Sequence, residues 1–228
     1  MKPPALLVVA KAPVPGTVKT RLIGPFTPYQ AAALAAAALL DTLDACVRAA
    51  AVTGGPVVVA VSGRLDSAIG RYALIERLRA LSVIGQRGTD LAERLAHAHV
   101  DAAGPFGGCV QIGMDTPQVT AEQLVAASDR ISVHDGADAV LGRATDGGWW
   151  LLALRRAGTA RCLAGVPMSR DTTGADTLAA LRSECRRVEL ADELSDVDTI
   201  DDVFLTATGE GRFARLVRVL LPEPEAVR

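Results

Sequence analysis

The residues that could do chemistry begin with three cations near the N-terminus. Lys11, Lys19 and Arg21 lie in the segment AKAPVPGTVKTR, directly after the apolar run Leu6–Val9, which is typical of a buried strand. A strand that leads into a rigid cationic loop and then a helix can hold phosphates, because backbone N–H groups and side-chain charges converge on the anion. The segment therefore predicts an anion site, although a surface loop with three solvated cations would show the same pattern.

This loop differs from the phosphate loop of many NTPases, which requires the pattern G-x-x-x-x-G-K-[ST]. Here Gly16 is separated from Lys19 and Thr20 by two residues, and Ala10 stands where the first glycine would be. Without the Gly-Lys junction the backbone cannot wrap a β-phosphate in the same way. An ATPase or a small-molecule kinase is therefore disfavoured.

Carboxylates that could bind a metal ion follow at two distant places. Asp115 lies in Gly113–Pro117, just after the apolar run Cys109–Ile112, and Asp196 and Asp198 lie much further along the chain. Carboxylate oxygens are ligands for hard cations such as Mg²⁺. Each aspartate also has a structural interpretation, because aspartates begin turns and cap helices. We expect Asp196 to alternate to the other face of its extended segment and to matter less than Asp198.

Length and composition favour one α/β domain, residues 1–228. Half of the residues are hydrophobic and only 4% are aromatic, which predicts a core of Ala, Val and Leu. The net charge is −2 and no basic stripe is visible, so a nucleic-acid partner is not expected.

Further features of the sequence favour a cytoplasmic protein. The apolar runs look shorter than the roughly 18 to 20 residues of a membrane span. The N-terminus is not typical of a signal peptide. The four cysteines are widely scattered, which favours reduced thiols over disulfides or a zinc site. We therefore expect no membrane partner.

The apolar periodicity predicts strands that alternate with helices. Strands are expected at residues 5–10, 57–62, 81–84, 109–112, 139–141, 149–154 and near 186–190, and helices at 28–51, 66–79, 90–103, 120–131, 175–184 and 200–208. This order indicates a three-layer, Rossmann-like α/β fold with a mixed, mostly parallel sheet and helices on both faces. Ligands of such sheets bind beyond the carboxyl ends of the strands. The cationic loop and Gly113–Pro117 could therefore face one ligand.

Five segments occur in an order that resembles a known family. They are AKAPVPGTVKTRL, QRGTDLAERL (Gln86–Leu95), GMDTP (Gly113–Pro117), DGGWWLLAL (Asp146–Leu154) and DVDTIDD (Asp196–Asp202). Together they resemble a bacterial glycosyltransferase-A-fold family of the nucleotide-diphospho-sugar transferase superfamily, related to 2-phospho-lactate guanylyltransferase. The resemblance covers about residues 5 to 205. Its motifs are more specific for the fold than for a substrate.

The resemblance implies roles for individual residues on the nucleotide side. It implies that the nucleotide is bound by Ala10, Lys11, Gly16, Lys19, Arg21, Gln86 and Asp90. Of these, Lys19 and Arg21 are implied to be catalytic, because they neutralise the triphosphate and the leaving pyrophosphate. The residue itself, three positions before Glu93, favours a helix cap over a base contact for Asp90.

On the metal and acceptor sides, the resemblance implies that Asp115, Asp198 and the neighbouring Asp196 hold Mg²⁺ or Mn²⁺, with Asp115 also catalytic. It implies that Asp146, Gly147 and Gly148 bind the acceptor.

Two reactions and one inert alternative fit these residues. In nucleotidyl transfer, an acceptor oxyanion attacks the α-phosphorus of a nucleoside triphosphate and pyrophosphate leaves. Glycosyltransferases of this fold often carry an Asp-x-Asp pair after the fourth strand, whereas Met114, Asp115 and Thr116 supply one carboxylate. The single carboxylate favours nucleotidyl transfer over glycosyl transfer, and a nucleotide-binding protein without activity stays open. The expected partners are a nucleotide donor and a small-molecule acceptor, bound by a monomer or homodimer.

Overall fold

The computed structural model describes residues 2–105 and 107–221. Its strands are β1 (Ala5–Lys11), β2 (Val57–Ser62), β3 (Ser82–Gly85), β4 (Cys109–Ile112), β5 (Ala139–Ala144), β6 (Trp149–Leu154) and β7 (Val188–Leu194). They form one sheet in the order β3-β2-β1-β4-β6-β5-β7. Only β6 runs antiparallel to its neighbours, and the other adjacent pairs are parallel. The mixed, mostly parallel sheet predicted from the sequence is confirmed.

Helices cover both faces of this sheet. They are α1 (Pro28–Thr53), α2 (Arg71–Leu78), α3 (Leu91–Ala103), α4 (Ala121–Ser132), α5 (Thr173–Glu184), α6 (Ile200–Thr206) and α7 (Arg212–Leu220), with 3-10 turns at Thr20–Leu22, Leu65–Ser67 and Ala157–Gly165. On one face, Leu43, Leu74 and Leu124 of α1, α2 and α4 share a core with the sheet. On the other face, Leu95 and Leu181 of α3 and α5 pack against it.

Two elements differ from the sequence-based expectation. The helix expected at 66–79 is divided into the 3-10 turn Leu65–Ser67 and α2, because Gly70 between them adopts a positive φ of 68°. The helix α7 was not predicted. Its apolar residues Phe213 and Val217 are buried against the outer face of α1, so α7 adds a further layer there.

Helix α1 corrects the expectation that no apolar run could span a membrane. By length and composition alone its 26 residues are sufficient, with a mean hydropathy of 1.4 in the most apolar stretch. Of that stretch, 72% is buried inside the protein. Burial of this extent is typical of a core helix, and the same test is passed by such helices in soluble proteins.

Candidate active site

A cavity of about 560 Å³ opens at the carboxyl ends of β1 and β4. These two strands are parallel neighbours, so the loops that follow them leave the sheet on the same side, as predicted. The cavity has three regions, which we name by their residues: a nucleotide side (Ala10, Lys11, Ser62, Gln86, Leu91, Arg94), a carboxylate cluster (Asp115, Asp196, Asp198) beside Arg21, and an acceptor side (Asp146, Gly148, Trp149, Ser169, Arg170).

Hydrogen bonds between two distant segments assemble the carboxylate cluster. The backbone N–H of Val197 donates to the carbonyl oxygen of Asp115 over 3.0 Å. The hydroxyl of Thr116 donates to Oδ1 of Asp196 over 2.7 Å. The loop after β4 and the segment before α6 are therefore fixed to each other, although about 80 residues separate them.

Lys19 lies between two of these carboxylates. Its Nζ is 2.6 Å from Oδ2 of Asp115 and 2.8 Å from Oδ1 of Asp198. The two oxygens can therefore be no further apart than about 5.4 Å. The Lys19 side chain is only 9% exposed, whereas that of Arg21, which reaches Asp198 from outside over 3.0 Å, is 69% exposed.

Neighbouring charges in this cluster shift the pKa values of Lys19 and Asp198. Burial disfavours the Lys19 ammonium, but the carboxylates of Asp115 and Asp198 outweigh it and raise the pKa of Lys19. Burial likewise opposes ionisation of Asp198, but Lys19 and then Arg21 lower the pKa of that carboxyl. Lys19 and Asp198 therefore both stay charged at neutral pH.

The expectation that Asp196 faces away from Asp198 is wrong. Both side chains line the same cavity, while Val197 between them is buried in the core formed with α1 and α7. The physical reason is that residues two apart in an extended segment point the same way. Burial, and then the charge of Asp115, raise the pKa of Asp196 to about 8.

The helix-capping interpretation of Asp196 and Asp198 is also wrong. The cap of α6 is Thr199, whose side chain accepts from Asp202 N while Oδ2 of Asp202 accepts from the Thr199 backbone. The side chains of Asp196 and Asp198 are therefore available to the cavity.

On the nucleotide side, the amide group of Gln86 is oriented by the sheet. Its Nε2 donates to the carbonyl oxygens of Ala10 and Ala60, both over 2.9 Å. Carbonyl oxygens only accept hydrogen bonds, so Nε2 must face the strands. Lys11 lines the cavity, and its Nζ donates to the carbonyl oxygen of Thr17 over 2.7 Å.

Four residues assigned to ligands by resemblance do not line the cavity: Gly16, Lys19, Asp90 and Gly147. The Asp90 carboxylate instead caps α3 by accepting from Glu93 N over 2.9 Å. Gly16 supplies the turn of the cationic loop with a φ of 77°. For Asp90, a helix cap is thus the interpretation that the structure supports, because its oxygen is occupied by the helix terminus.

Gly147 supports the acceptor side through its backbone. Its carbonyl oxygen accepts from Gly174 N over 2.7 Å, which joins the loop to the first turn of α5. A Cβ at Gly147 would lie 1.9 Å from the carbonyl oxygen of Asp171. The neighbouring Asp146 accepts from Gly148 N over 2.8 Å and lines the cavity.

Gln111 is one of the cavity residues that sequence reasoning missed. Gln111 on β4 lines the cavity and is 2% exposed, and its Oε1 has no hydrogen-bond partner among the described residues. A buried polar atom without a partner is costly, which is why such atoms often contact ligands or water. The signal in the sequence is a single amide within the apolar strand Cys109–Ile112.

The cluster has the chemistry of a cation site. In residues 2–105 and 107–221, no three His, Cys, Asp or Glu side chains are grouped as a metal site. However, Mg²⁺ commonly takes only one or two carboxylates together with substrate phosphates and water. Asp115 and Asp198 already share one cation, the Lys19 ammonium, so the donor set fits such an ion.

The mixed sheet with helices on both faces is a glycosyltransferase-A-like fold. A family model described as "Uncharacterized protein conserved in bacteria (DUF2064)" matches residues 39–170. The chain therefore belongs to the DUF2064 family.

Similar proteins indicate the class of enzyme. The chain is 31% identical over 199 residues to a 3-phospho-D-glycerate guanylyltransferase of Phenylobacterium zucineum (strain HLK1), with 84% of each chain covered. A structure from Desulfovibrio desulfuricans G20, assigned as a nucleotide-diphospho-sugar transferase, has a TM-score of 0.79 at 25% identity and 96% and 95% coverage. A Mycobacterium tuberculosis H37Rv protein in complex with manganese shares the fold, with a TM-score of 0.52, 20% identity and 89% and 97% coverage. The chain is an enzyme of the nucleotidyltransferase class.

Proposed function

We propose that the protein transfers a nucleotidyl group from a nucleoside triphosphate to a small phosphorylated or oxyanion acceptor and releases pyrophosphate. In this proposal the reaction depends on Mg²⁺ or Mn²⁺ held by Asp115 and Asp198, with Asp196 beside them. The observation that carries this proposal is that Asp115 and Asp198 both contact the Lys19 ammonium. The two carboxylates line the cavity between its nucleotide side and its acceptor side.

The chemistry needs positioning and charge neutralisation more than covalent help. An acceptor oxygen attacks the α-phosphorus, the bond to the bridging oxygen breaks, and pyrophosphate leaves with that electron pair. Lys19 and Arg21 offset negative charge on the triphosphate and on the leaving group. A bound divalent cation would supply further charge neutralisation at the phosphate oxygens.

The curated relative suggests which substrates to test first. Its name gives a guanylyl group as the group transferred and 3-phospho-D-glycerate as the acceptor, and a phosphorylated acid agrees with the cation Arg170 on the acceptor side. We therefore take GTP with 3-phospho-D-glycerate as the first candidate pair for this protein.

The test incubates the protein with GTP, ATP, CTP or UTP, Mg²⁺ and 3-phospho-D-glycerate, and measures pyrophosphate and product mass. We expect pyrophosphate release with one triphosphate and its loss when EDTA removes the metal. Hydrolysis of a sugar nucleotide in place of triphosphate turnover would favour glycosyl transfer. Triphosphate binding without turnover of any acceptor would favour an inert binding protein.

We further propose that the chain acts as one domain in the cytoplasm, as a monomer or homodimer, without nucleic-acid or membrane partners. Two features support this proposal. The seven strands share one sheet, and the cysteines Cys46, Cys109, Cys162 and Cys185 are free thiols. Light scattering of the purified protein would measure the oligomeric state.

Arg21→Ala is expected to weaken triphosphate binding about 10-fold or more without unfolding the protein. A charge-assisted hydrogen bond contributes about 1.5–3 kcal/mol, and the exposure of Arg21 favours the lower end of that range. Isothermal titration calorimetry with metal and triphosphate, in the absence of an acceptor so that no turnover occurs, measures the change in affinity. Arg64→Ala is the control, because Arg64 pairs with Asp66 at the surface and does not line the cavity. Equal affinity of the Arg21 variant and the parent would exclude Arg21 from the phosphate site.

Arg170→Ala is expected to raise the KM of the acceptor about 10-fold or more and to change the KM of the triphosphate little. The Arg170 side chain lines the acceptor side and has no hydrogen bond or ion pair among the described residues, so its charge is available to an anionic acceptor. Initial rates with each substrate varied in turn separate the two constants. A larger effect on the triphosphate would place the acceptor elsewhere.

A further inference from the structure

The chain uses lysine sparingly and places one at the centre of the carboxylate cluster. Only three of its 24 basic residues are lysines, and the others are arginines. Lys19 contacts both Asp115 and Asp198, whereas the neighbouring Arg21 contacts Asp198 alone. An ammonium is a compact point charge, while a guanidinium is a wide planar fork. The compact ion is therefore the one that occupies the position between two carboxylates.

The backbone of Lys19 indicates a functional constraint. Lys19 has φ 48° and ψ 43°, the left-handed region that a residue with a side chain rarely adopts. It is held there by the following turn, in which its carbonyl oxygen accepts from Leu22 N over 2.9 Å. Strained backbone of this kind persists where the surrounding structure enforces it, often at functional sites. Here it directs the side chain into the cluster.

The positions of this ammonium and of a catalytic metal ion cannot both be occupied. Mg²⁺ bound to the same oxygens would lie ~2.1 Å from them. The ammonium, at 2.6 and 2.8 Å from these oxygens, would then lie within a few ångströms of a divalent charge in a partly buried site. Repulsion between like charges is strong at such distances when solvent screening is reduced.

We propose that Lys19 is an exchangeable counter-ion: it holds Asp115 and Asp198 together before the metal binds, and the metal enters by displacing it. This inference rests on the metal-dependent function proposed above. The displaced ammonium is then free to contact the triphosphate. The metal alone is expected to bind weakly, because the carboxylates must first release Lys19. When a triphosphate is bound, its oxygens can contact the released ammonium, and this contact offsets the cost.

Removal of the Lys19 charge should strengthen the binding of metal alone if Lys19 competes with the metal. Removal of a lysine that only binds phosphate would not strengthen it. Lys19→Met keeps the length and the apolar stem of the side chain but removes the charge. In this variant Mn²⁺ alone should bind at least about 10-fold more tightly than in the parent, while the triphosphate should bind more weakly. Lys11→Met is the control for binding of Mn²⁺ alone, because Lys11 lies in the same loop but donates to a backbone carbonyl and contacts neither carboxylate.

The experiment measures free Mn²⁺ by electron paramagnetic resonance during titration of each protein, with and without GTP. Tighter binding in Lys19→Met, reversed by adding Asp115→Asn, supports the exchange. Equal or weaker binding in Lys19→Met overturns it, and the proposed function then stands if the parent still binds Mn²⁺ in the presence of GTP. If neither protein binds Mn²⁺ even with GTP, the metal-dependent function is overturned and the exchange with it.

A second measurement follows metal binding in the unaltered protein and uses a variant only to assign one signal. Lysine labelled with ¹³C at Cε gives three signals, one for each of Lys2, Lys11 and Lys19. The signal lost in Lys19→Met, or in Lys19→Arg if the first variant does not fold, identifies Lys19. Saturation with Mg²⁺ should shift this signal, and an unmoved signal at saturation would overturn the proposal.

Discussion

Asp115→Asn and Asp198→Asn are each expected to lower metal-dependent kcat/KM by about 100-fold or more while the protein stays folded. Asparagine keeps the shape of aspartate but removes the charge that a hard cation requires. Changing groups that merely orient metal ligands already costs ~10–100-fold, so a lost ligand charge should cost at least as much. Pyrophosphate release measures the loss, and a thermal melt shows whether the fold is retained.

The double variant distinguishes a shared ion from two independent contacts. If both carboxylates act through one ion, the double variant should be scarcely worse than either single variant, because the ion is already lost. If the fold-losses of the two single variants multiply in the double variant, the two carboxylates do not act through one shared ion. Asp90→Asn is the matched control: asparagine caps a helix about as well as aspartate, and Asp90 lies at the start of α3 outside the cavity lining. Its activity should equal that of the parent.

Gly147→Ala is expected to lower activity by about 100-fold and to reduce stability. The added Cβ would meet the carbonyl oxygen of Asp171 at 1.9 Å, and alanine would be strained at the Gly147 φ of 89°. The strained backbone alone costs about 1–3 kcal/mol in the free energy of unfolding. Relief of the clash must shift the loop away from Asp171. A displacement of ~1 Å at substrate-positioning groups can cost 10²-fold in rate.

The same single methyl group tests this interpretation at a second glycine. Gly165 ends the 3-10 turn Ala157–Gly165, and a Cβ there would meet no atom within 4 Å. Gly165→Ala should therefore change the free energy of unfolding by less than ~0.5 kcal/mol. Urea denaturation compares the free energies of unfolding of the two variants. The KM of the acceptor shows whether the loop at Gly147 has moved. Similar behaviour of both variants would show that the close approach at Gly147 is unimportant.

Local sequence patterns predicted most of the elements that position the site. The runs Val57–Ser62 and Cys109–Ile112 are strands with the bounds that their apolar residues predict. Their signal is strong because a central parallel strand is buried on both faces. The helix α7 has a usable signal as well, since Phe213 and Val217 are one helical turn apart, but Gly211 before it provides no side-chain cap. Without a recognisable start, this short helix was overlooked.

The arrangement inside the site could be predicted only in part. Cations, carboxylates and the side of the sheet were all indicated by sequence, because strand direction fixes where the following loops lie. The contact of Lys19 with both Asp115 and Asp198 was not, since it depends on a left-handed backbone and on partners 96 and 179 positions away. Interactions of this range are set by tertiary packing, which local patterns do not describe.

The hydrogen bonds that join the loop after β4 to the segment before α6 also set the order in which the enzyme can mature. A third bond, from the Gln118 amide to the Ser195 carbonyl oxygen, reinforces the two described above. Closing a loop of about 80 residues is entropically unfavourable and late in folding. A chain whose central strands have already formed therefore holds Asp115 without Asp198. Catalytic competence is expected to appear as a later docking step, after the central strands β1, β2 and β4 have paired.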